Sequence, residues 1–140
     1  MKVVVAKPPI YDYLTGIFPI QGRKGIYFCW SDAIYNPDNV EIPPAIMVHE
    51  GVHSVRQGSK PEDWWIRYCH DKEFRLAEEL LAHRAEYQFY LKLNGINAPM
   101  PGWRSKLDFH LTKVAQRLSS PLYGSMVSTS KARRLICGQS

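Results

Sequence analysis

The sequence is short of cysteine and has no long apolar run. Its three cysteines, Cys29, Cys69 and Cys137, are widely spaced and form no CxxC pair. This pattern argues against a disulfide framework and predicts a reducing compartment. No apolar stretch approaches the roughly 18 residues that a membrane helix needs, and the first apolar run is cut off by a lysine and two prolines. We therefore expect a soluble cytoplasmic protein with no membrane partner.

The sequence also lacks internal repeats and low-complexity segments. Its 140 residues are 45% hydrophobic and 22% charged, which is ordinary for a globular protein and does not favour disorder. A chain of this length can bury one packed core. We therefore predict a single domain over residues 1–140.

Acidic residues are scarce in the last forty residues of the chain. Asp108 is the one acid there, whereas the same segment contains seven basic residues: Arg104, Lys106, Lys113, Arg117, Lys131, Arg133 and Arg134. The net charge of +5 therefore belongs to the C-terminal third. A solvated helical face explains such a stretch, and weak contact with nucleic acid or another polyanion is the alternative.

Short β-branched and aromatic runs near the N-terminus are followed by longer helical segments. The runs predict strands at 2–6, 25–30 and 33–35. Helical periodicity and stop signals predict helices over 45–57, from 61 onward, and over 72–93, 103–118 and 129–136. A short helix or irregular connection is expected at 11–18, and loops at 97–102 and 119–128. Strands first and helices after indicate an α+β fold, with 1–40 mainly strands and 43–140 mainly helical.

The segment HEGVH at residues 49–53 carries the clearest chemical signal. His49 and His53 are four residues apart on a predicted helix, so their rings project from one face about one turn apart. Two imidazoles at this spacing can bind one tetrahedral Zn²⁺, and Glu50 between them can reach a metal-bound water as a general base. Apolar neighbours such as Val48 and Val52 favour a helix that is buried behind a site.

A catalytic zinc ion needs a third protein ligand and one open position. The predicted helix 72–93 carries Glu79, His83 and Glu86 on one face, whereas Glu78 points about 100° away. Glu79 is the preferred third ligand, because the small Ala82 beside it lets a partner helix approach, and Glu86 is the second choice. A histidine ligand, at His83 or at His70 between two predicted helices, is a further alternative.

Two neighbouring features bear on these ligands. The longer HExxHxxGxxH pattern is excluded, because positions 56 and 59 are Arg56 and Ser59 instead of glycine and histidine. Arg75 lies one turn before Glu79 and is placed to hold its carboxylate, although an ordinary surface pair explains that spacing as well.

Three further segments extend HEGVH into a family pattern. They are the tryptophan-rich PEDWWIRY, the helical FRLAEELLAHRAEY and the C-terminal LSSPLYGSMVSTSKARRLI. Together they resemble the small gluzincin-type zinc metallopeptidases, in particular those encoded in bacteriophage and bacterial genomes. The resemblance covers residues 24–136.

This resemblance implies a minimal zincin-like fold and a peptidase activity. A small sheet would pack on the active-site helix, the third-ligand glutamate would lie on the next long helix, and segment 28–35 would bind an extended peptide as an edge strand. Glu50 would assist the attack of zinc-bound water on a peptide or amide bond of a peptide or protein substrate. A tyrosine, histidine or arginine stabilises the oxyanion in such reactions, and Tyr123 is the candidate here.

The chain departs from the larger gluzincins at two points. The spacing from His53 to Glu79 is longer and is filled by the WW segment, and Leu81 stands where an acid often precedes the alanine. A zinc-stabilised binding protein with little catalysis, acting on a host protein or on nucleic acid, is the alternative function. If the chain is phage-encoded, its expected compartment is the host cytoplasm.

Overall fold

The computed structural model of the protein describes residues 1–93 and 102–138. Within these ranges the fold is α+β, with six α-helices, a short 3-10 helix and one three-stranded sheet. The predicted fold class is therefore confirmed. The predicted end of the long helix at 94–95 and most of the expected loop at 97–102 lie outside the described residues.

The sheet is small and is built from the N-terminal segment. Its strands are β1 (Lys2–Val4), β2 (Phe28–Trp30) and β3 (Ala33–Tyr35). β3 is central and pairs parallel with β1 and antiparallel with β2. The first two strands are shorter than predicted, because the Ala6 N–H turns back to the Val4 carbonyl at 3.0 Å and Gly25 has a positive φ of 74°.

The helices are α1 (Tyr11–Thr15), α2 (Pro44–Gln57), α3 (Pro61–His70), α4 (Lys72–Leu93), α5 (Trp103–Leu118) and α6 (Thr129–Ile136), and the 3-10 helix is Pro121–Tyr123. Their bounds agree closely with the prediction. Pro44 and Pro61 stand in the first turns of α2 and α3, where the missing N–H of proline loses no helical hydrogen bond. Gly58 ends α2 with a positive φ of 55°, which glycine adopts without steric strain.

Two apolar clusters lie on either side of α4. The first surrounds α1 and α3 and contains Leu14, Phe18, Ile20, Phe28, Trp64, Trp65, Tyr68 and Cys69. The second joins α5 to α6 and contains Leu111, Val114, Ala115, Leu118, Met126, Ala132 and Ile136. α4 packs against α2, α3, α5 and α6, and it buries Arg75, Glu78, Glu79, Ala82, His83 and Glu86. Burial of a charged side chain has a low free-energy cost only when the charge is paired or binds a metal. The buried charged residues of α4 therefore mark the candidate site.

All three cysteines are free, Cys29 and Cys69 in the interior and Cys137 at the surface. In the described part of the chain, no helix combines the length and the apolar character that crossing a membrane needs.

Gln57 joins the end of α2 to the sheet. Its side chain is buried, its Oε1 accepts from the Ser31 N–H at 2.8 Å, and its Nε2 donates to the Cys29 carbonyl at 3.0 Å. Trp65 Nε1 donates to the same carbonyl at 2.9 Å. These bonds hold the β2–β3 turn against α2 and α3.

We expect Gln57→Leu to lower the free energy of unfolding by about 1–3 kcal/mol, because it leaves the part-buried Ser31 N–H without its acceptor. The measurement is denaturant unfolding of parent and variant. Gln88→Leu, at an exposed position of α4, is the matched control and should change stability by less than about 0.5 kcal/mol. Equal stability of both variants would contradict the role assigned to Gln57.

Candidate metal centre

Three buried side chains from α2 and α4 converge on one point. They are His49, His53 and Glu79, and their ligand atoms all lie within 4.8 Å of one another. The two histidine Nε2 atoms are 3.2 Å apart, Glu79 Oε2 is 3.5 Å from His49 Nε2, and Glu79 Oε1 is 3.5 Å from His53 Nε2. Metal bonds of about 2.0–2.1 Å at the tetrahedral angle place neighbouring ligand atoms about 3.3–3.4 Å apart. The Nε2–Nε2 distance, and the distance from each Nε2 to one Glu79 oxygen (Oε2 for His49, Oε1 for His53), are therefore close to the ligand spacing of a tetrahedral metal site.

The local sequence explains why these side chains meet. His49 and His53 share one face of α2, and Glu79, His83 and Glu86 share one face of α4, as their spacing predicts. Ala82, fully buried between them, has no bulk that would keep the two helices apart. The structure thus brings the three predicted ligands together.

Several polar atoms of this centre are buried and have no hydrogen-bond partner among the described residues. They are His49 Nδ1, His53 Nδ1, Glu79 Oε2, His83 Nε2 and Glu86 Oε1. Buried polar atoms are ordinarily paired, and Glu79 Oε2 is the member of this set that belongs to the triangle. Two facing Nε2 atoms can share at most one proton, whereas a metal ion accepts both lone pairs and that of Glu79 Oε2. The residues present therefore fit a metal ion.

The charges within the triangle compensate one another. Burial opposes protonation of His49, but the carboxylates of Glu79 and Glu86 outweigh it and raise the pKa of His49 to about 10. Burial also opposes ionisation of Glu79, but His53 and His49 hold the pKa of its carboxyl well below the usual range. A metal cation in the triangle would replace the proton of His49, because metal ligation requires neutral imidazole.

Glu50 lies on α2 between the two histidines and lines the same cavity. It is 7% exposed, and among the described residues no cation forms an ion pair with it. Burial raises the pKa of Glu50 more than His49 and His53 lower it. A carboxylate of raised pKa that faces a cavity is suited to accept a proton there.

Glu86, the second choice for the third ligand, lies behind His49. Its Oε2 is 3.4 Å from His49 Nδ1 and accepts a charged hydrogen bond from Arg117. Burial opposes its ionisation, but His49 and Arg117 lower the pKa of Glu86 to about 2. His49, His83 and Glu86 also have a spacing that could hold a metal. Arg117 already neutralises Glu86, whereas no cationic arginine or lysine forms an ion pair with Glu79 among the described residues, so the triangle with Glu79 is the better centre.

Two side chains hold Glu79 in place. Tyr68 was not singled out from the sequence, and its hydroxyl donates to Glu79 Oε1 at 2.5 Å. His83, an alternative ligand, donates through Nδ1 to the Glu79 backbone carbonyl at 2.7 Å and packs edge-on against His49. Burial and the nearby His49 lower the pKa of His83 to about 3, so its ring is neutral.

The structure does not bring His70 or Arg75 to the Glu79 carboxylate. His70 is exposed at the end of α3 and bonds to the hydroxyl of Tyr13. The expectation for Arg75 is wrong, because its guanidinium donates to the carbonyls of Tyr68 at 2.8 Å and Tyr123 at 3.0 Å. Arg75 therefore positions the turn that carries Tyr123 instead of the ligand.

Gly124 permits this contact between Arg75 and the turn. It has a positive φ of 86°, and a Cβ built there would lie 3.2 Å from Arg75 Nη2. A larger residue would be strained and would crowd the guanidinium.

Glu78 is buried on another face of α4. It accepts from Arg56 Nη2 at 2.6 Å and from Trp64 Nε1 at 3.0 Å. Burial opposes its ionisation, but Arg56 and Trp64 outweigh it and lower the pKa of Glu78. The ion pair with Arg56 joins α4 to α2, and the hydrogen bond from Trp64 joins α4 to α3, both beside the triangle.

A cavity of about 310 Å³ opens beside the triangle and is hereafter the metal-side cavity. His49, Glu50, His53 and Glu79 line it, and so does the predicted Tyr123. Burial and the Glu79 carboxylate raise the pKa of Tyr123 well above its usual range, so its phenol stays protonated. The structure therefore places Tyr123 and Glu50 at one cavity.

The sheet edge near this cavity differs from expectation. Of segment 28–35, β2 alone lies at an edge, because β3 is the central strand. The carbonyl of Cys29 in β2 already accepts from Gln57 and Trp65. With both lone pairs engaged, this carbonyl has none left for an added peptide strand.

Comparison with known proteins adds no assignment. No family model matches the chain, and searches of curated proteins and of solved structures gave no match. The interpretation of the site therefore rests on its own residues.

We expect Glu79→Ala to lose the bound metal and His70→Ala to retain it. Glu86→Ala should retain one metal per chain with weaker affinity, because Glu86 supports His49 from behind. Elemental analysis of the purified variants beside the parent gives the stoichiometry. Loss of the metal in His70→Ala, or its full retention in Glu79→Ala, would overturn the assigned ligand set.

We expect Tyr68→Phe to weaken metal binding about 10- to 100-fold, because Glu79 loses the hydroxyl that holds Oε1. Competition with a chelator of known affinity measures the change. Tyr35→Phe on β3 removes a hydroxyl that lies outside the centre and should bind metal like the parent. Equal affinities for the two variants would show that the hydroxyl of Tyr68 has no part in metal binding.

Proposed function

We propose that the protein is a zinc-dependent peptidase that hydrolyses a peptide or amide bond. The observation that supports it is the presence, at one cavity, of a ligand triangle of tetrahedral size and of Glu50 without an ion-pair partner among the described residues. Two imidazoles and one carboxylate form a known ligand set of catalytic zinc, and three protein ligands leave one position open. Imidazole ligands also favour zinc over magnesium or calcium, which prefer oxygen.

Each residue of the site has a part in this reaction. Bound zinc would supply a Lewis acid that polarises a carbonyl and lowers the pKa of water to about 7. Glu50 would orient the attacking water, accept its proton and return that proton to the leaving nitrogen. Tyr68 would hold one carboxylate oxygen of Glu79, which leaves the other for the metal. Tyr123, kept protonated by its surroundings, would donate to the substrate oxygen as negative charge develops.

The arrangement is consistent with the resemblance to gluzincin peptidases. A small sheet packs on α2, which carries the two histidines, and the third ligand lies on α4, the long helix that follows α3. A zincin-like fold and a gluzincin origin are part of this proposal, and so is a cytoplasmic compartment, that of the host if the chain is phage-encoded. The free cysteines support a reducing compartment.

A zinc-stabilised binding protein is the less favoured alternative. A structural zinc site ordinarily has four protein ligands, whereas the triangle has three. Such a site also has no use for a buried carboxylate like Glu50 at the cavity wall. Nucleic-acid binding by the C-terminal third gains little support, because Arg117 pairs with Glu86 and Arg133 donates to Asp108.

We expect Glu50→Gln to keep one zinc per chain and to lose hydrolysis by at least about 10²-fold, because the amide cannot take up the proton. Elemental analysis and mass-spectrometric detection of cuts in a peptide library measure the two properties. Glu73→Gln, at an exposed position in the first turn of α4, should cleave like the parent. Undiminished cleavage by Glu50→Gln, or a zinc-loaded parent that cuts nothing in the library, would overturn the proposal.

A further inference from the structure

The metal-side cavity is apolar apart from the centre itself. The charged side chains that line it are Glu50, Glu79 and Arg117, which all belong to the centre or lie beside it. Most of the other lining residues belong to the apolar cluster around α1 and α3: Leu14, Phe18, Ile20, Ile26, Phe28, Trp64, Trp65, Tyr68 and Leu122. A charged substrate side chain placed against this wall would lose its hydration without gaining a partner.

The size of the metal-side cavity limits what can enter it. Its volume of about 310 Å³ is at the lower end of the range of about 300–1,000 Å³ that is common for ligand pockets. One bulky side chain with its adjoining backbone fits such a space, whereas a folded segment does not. The substrate must therefore present an extended or unfolded stretch.

A second cavity of about 290 Å³, hereafter the basic cavity, adjoins the first. The two share the wall residues Ile20, Ile26 and Phe28. The charged side chains that line the basic cavity are two cations, Lys7 and Arg23, and one acid, Asp38.

The two cations of the basic cavity outnumber its one acid, and neither forms an ion pair within the described residues. Asp38 Oδ2 already accepts from the Gly25 N–H at 2.8 Å, and the Lys7 ammonium lies over the Tyr11 ring at 4.6 Å. In residues 1–93 and 102–138, no carboxylate forms an ion pair with Lys7 or Arg23, and both side chains are exposed. The two cations are therefore available to an anionic group of a ligand.

We propose that the site takes peptides in which a bulky uncharged side chain fills the metal-side cavity and a nearby carboxylate binds Lys7 and Arg23. The inference rests on the proposed peptidase function and names its substrate class. A side chain of Asp or Glu and the C-terminus of a peptide offer the same carboxylate chemistry. Because the cavities share a wall, the two groups lie close together in the peptide.

Four matched peptides with blocked N-termini test this recognition. The first contains Phe beside Glu and ends in an amide, the second has Gln for Glu, and the third has Lys for Phe. The fourth has Gln for Glu and ends in a free carboxylate. Each is made with the two residues in either order, and calorimetry measures its binding to zinc-loaded Glu50→Gln protein.

We expect the Phe–Glu peptide to bind about three- to tenfold more tightly than the Phe–Gln amide, as a charged hydrogen bond at an exposed site provides. The Lys–Glu peptide should bind at least about tenfold more weakly, because it buries a charge against an apolar wall. A fourth peptide that binds as tightly as the first shows that a C-terminal carboxylate binds the cations as a side-chain carboxylate does, and one that binds as weakly as the second restricts the recognition to a side chain. Equal affinity of the first, second and fourth peptides, or of the first and third, overturns the proposal.

Matched variants locate the two subsites. Arg23→Ser and Lys7→Ser should each reduce the preference for Glu over Gln. Lys24→Ser also removes one positive charge, but Lys24 lines neither cavity, so this variant should retain the preference. Ile46→Lys on α2 should weaken binding of the Phe peptides, whereas Val55→Lys, 82% exposed on the same helix, should not. Melting temperatures confirm that each variant is folded.

The results separate failure of recognition from failure of catalysis. If the zinc-loaded parent cleaves neither these peptides nor any member of the peptide library while the Arg23-dependent preference holds, the peptidase proposal fails and the recognition proposal stands. If the parent cleaves peptides without regard to either group, or if Arg23→Ser and Lys24→Ser behave alike, the recognition proposal is overturned and the peptidase proposal stands.

Discussion

The packing of α2 against α4 buries mainly polar side chains. α2 turns His49, Glu50, His53 and Gln57 inward, and α4 buries Glu78, Glu79, His83 and Glu86 on its side. Apolar burial alone does not hold such an interface together, because each buried charge must be compensated where it lies. Arg56 and Trp64 compensate Glu78 on one side of the interface, and Arg117 compensates Glu86 on the other. Between them, the triangle of two histidines and Glu79 has ligand atoms within 4.8 Å of one another, and its Glu79 Oε2 has no hydrogen-bond partner among the described residues, which suits a cation.

The same constraint separates Glu50 from the other buried carboxylates of the two helices. Glu78, Glu79 and Glu86 each have a defined partner, and the pKa of each is lowered. Glu50 has no such ion pair in the described residues, and its pKa is raised. Four buried acids on two helices thus have different chemical properties, which their surroundings decide. The apolar wall beside Glu50 limits the water around these charges, which strengthens the electrostatic interactions between them.

Much of the fold and half of the site could be predicted from local pattern. Prolines in the first turns of α2 and α3 and the glycine after α2 marked the helix ends, and the i,i+4 spacing of His49 and His53 marked the shared face. Arg75 shows where the same reasoning is wrong: its spacing from Glu79 suggested a pair, but backbone carbonyls of α3 and the 121–123 turn lie within its reach. Tyr68 had no helical register with Glu79, so no local pattern could connect them.

The sequence by itself determined the order of strands and helices, the two histidines with Glu50 between them, and the face of α4 that carries Glu79. These follow from the helical period, which acts over a few residues and does not depend on the rest of the chain. The tertiary structure alone decided that Tyr68 binds Glu79, that Arg117 binds Glu86, and that Cys29 gives its carbonyl to Gln57 and Trp65. Those contacts join residues far apart in sequence, and their geometry depends on how whole helices pack, which periodicity does not encode.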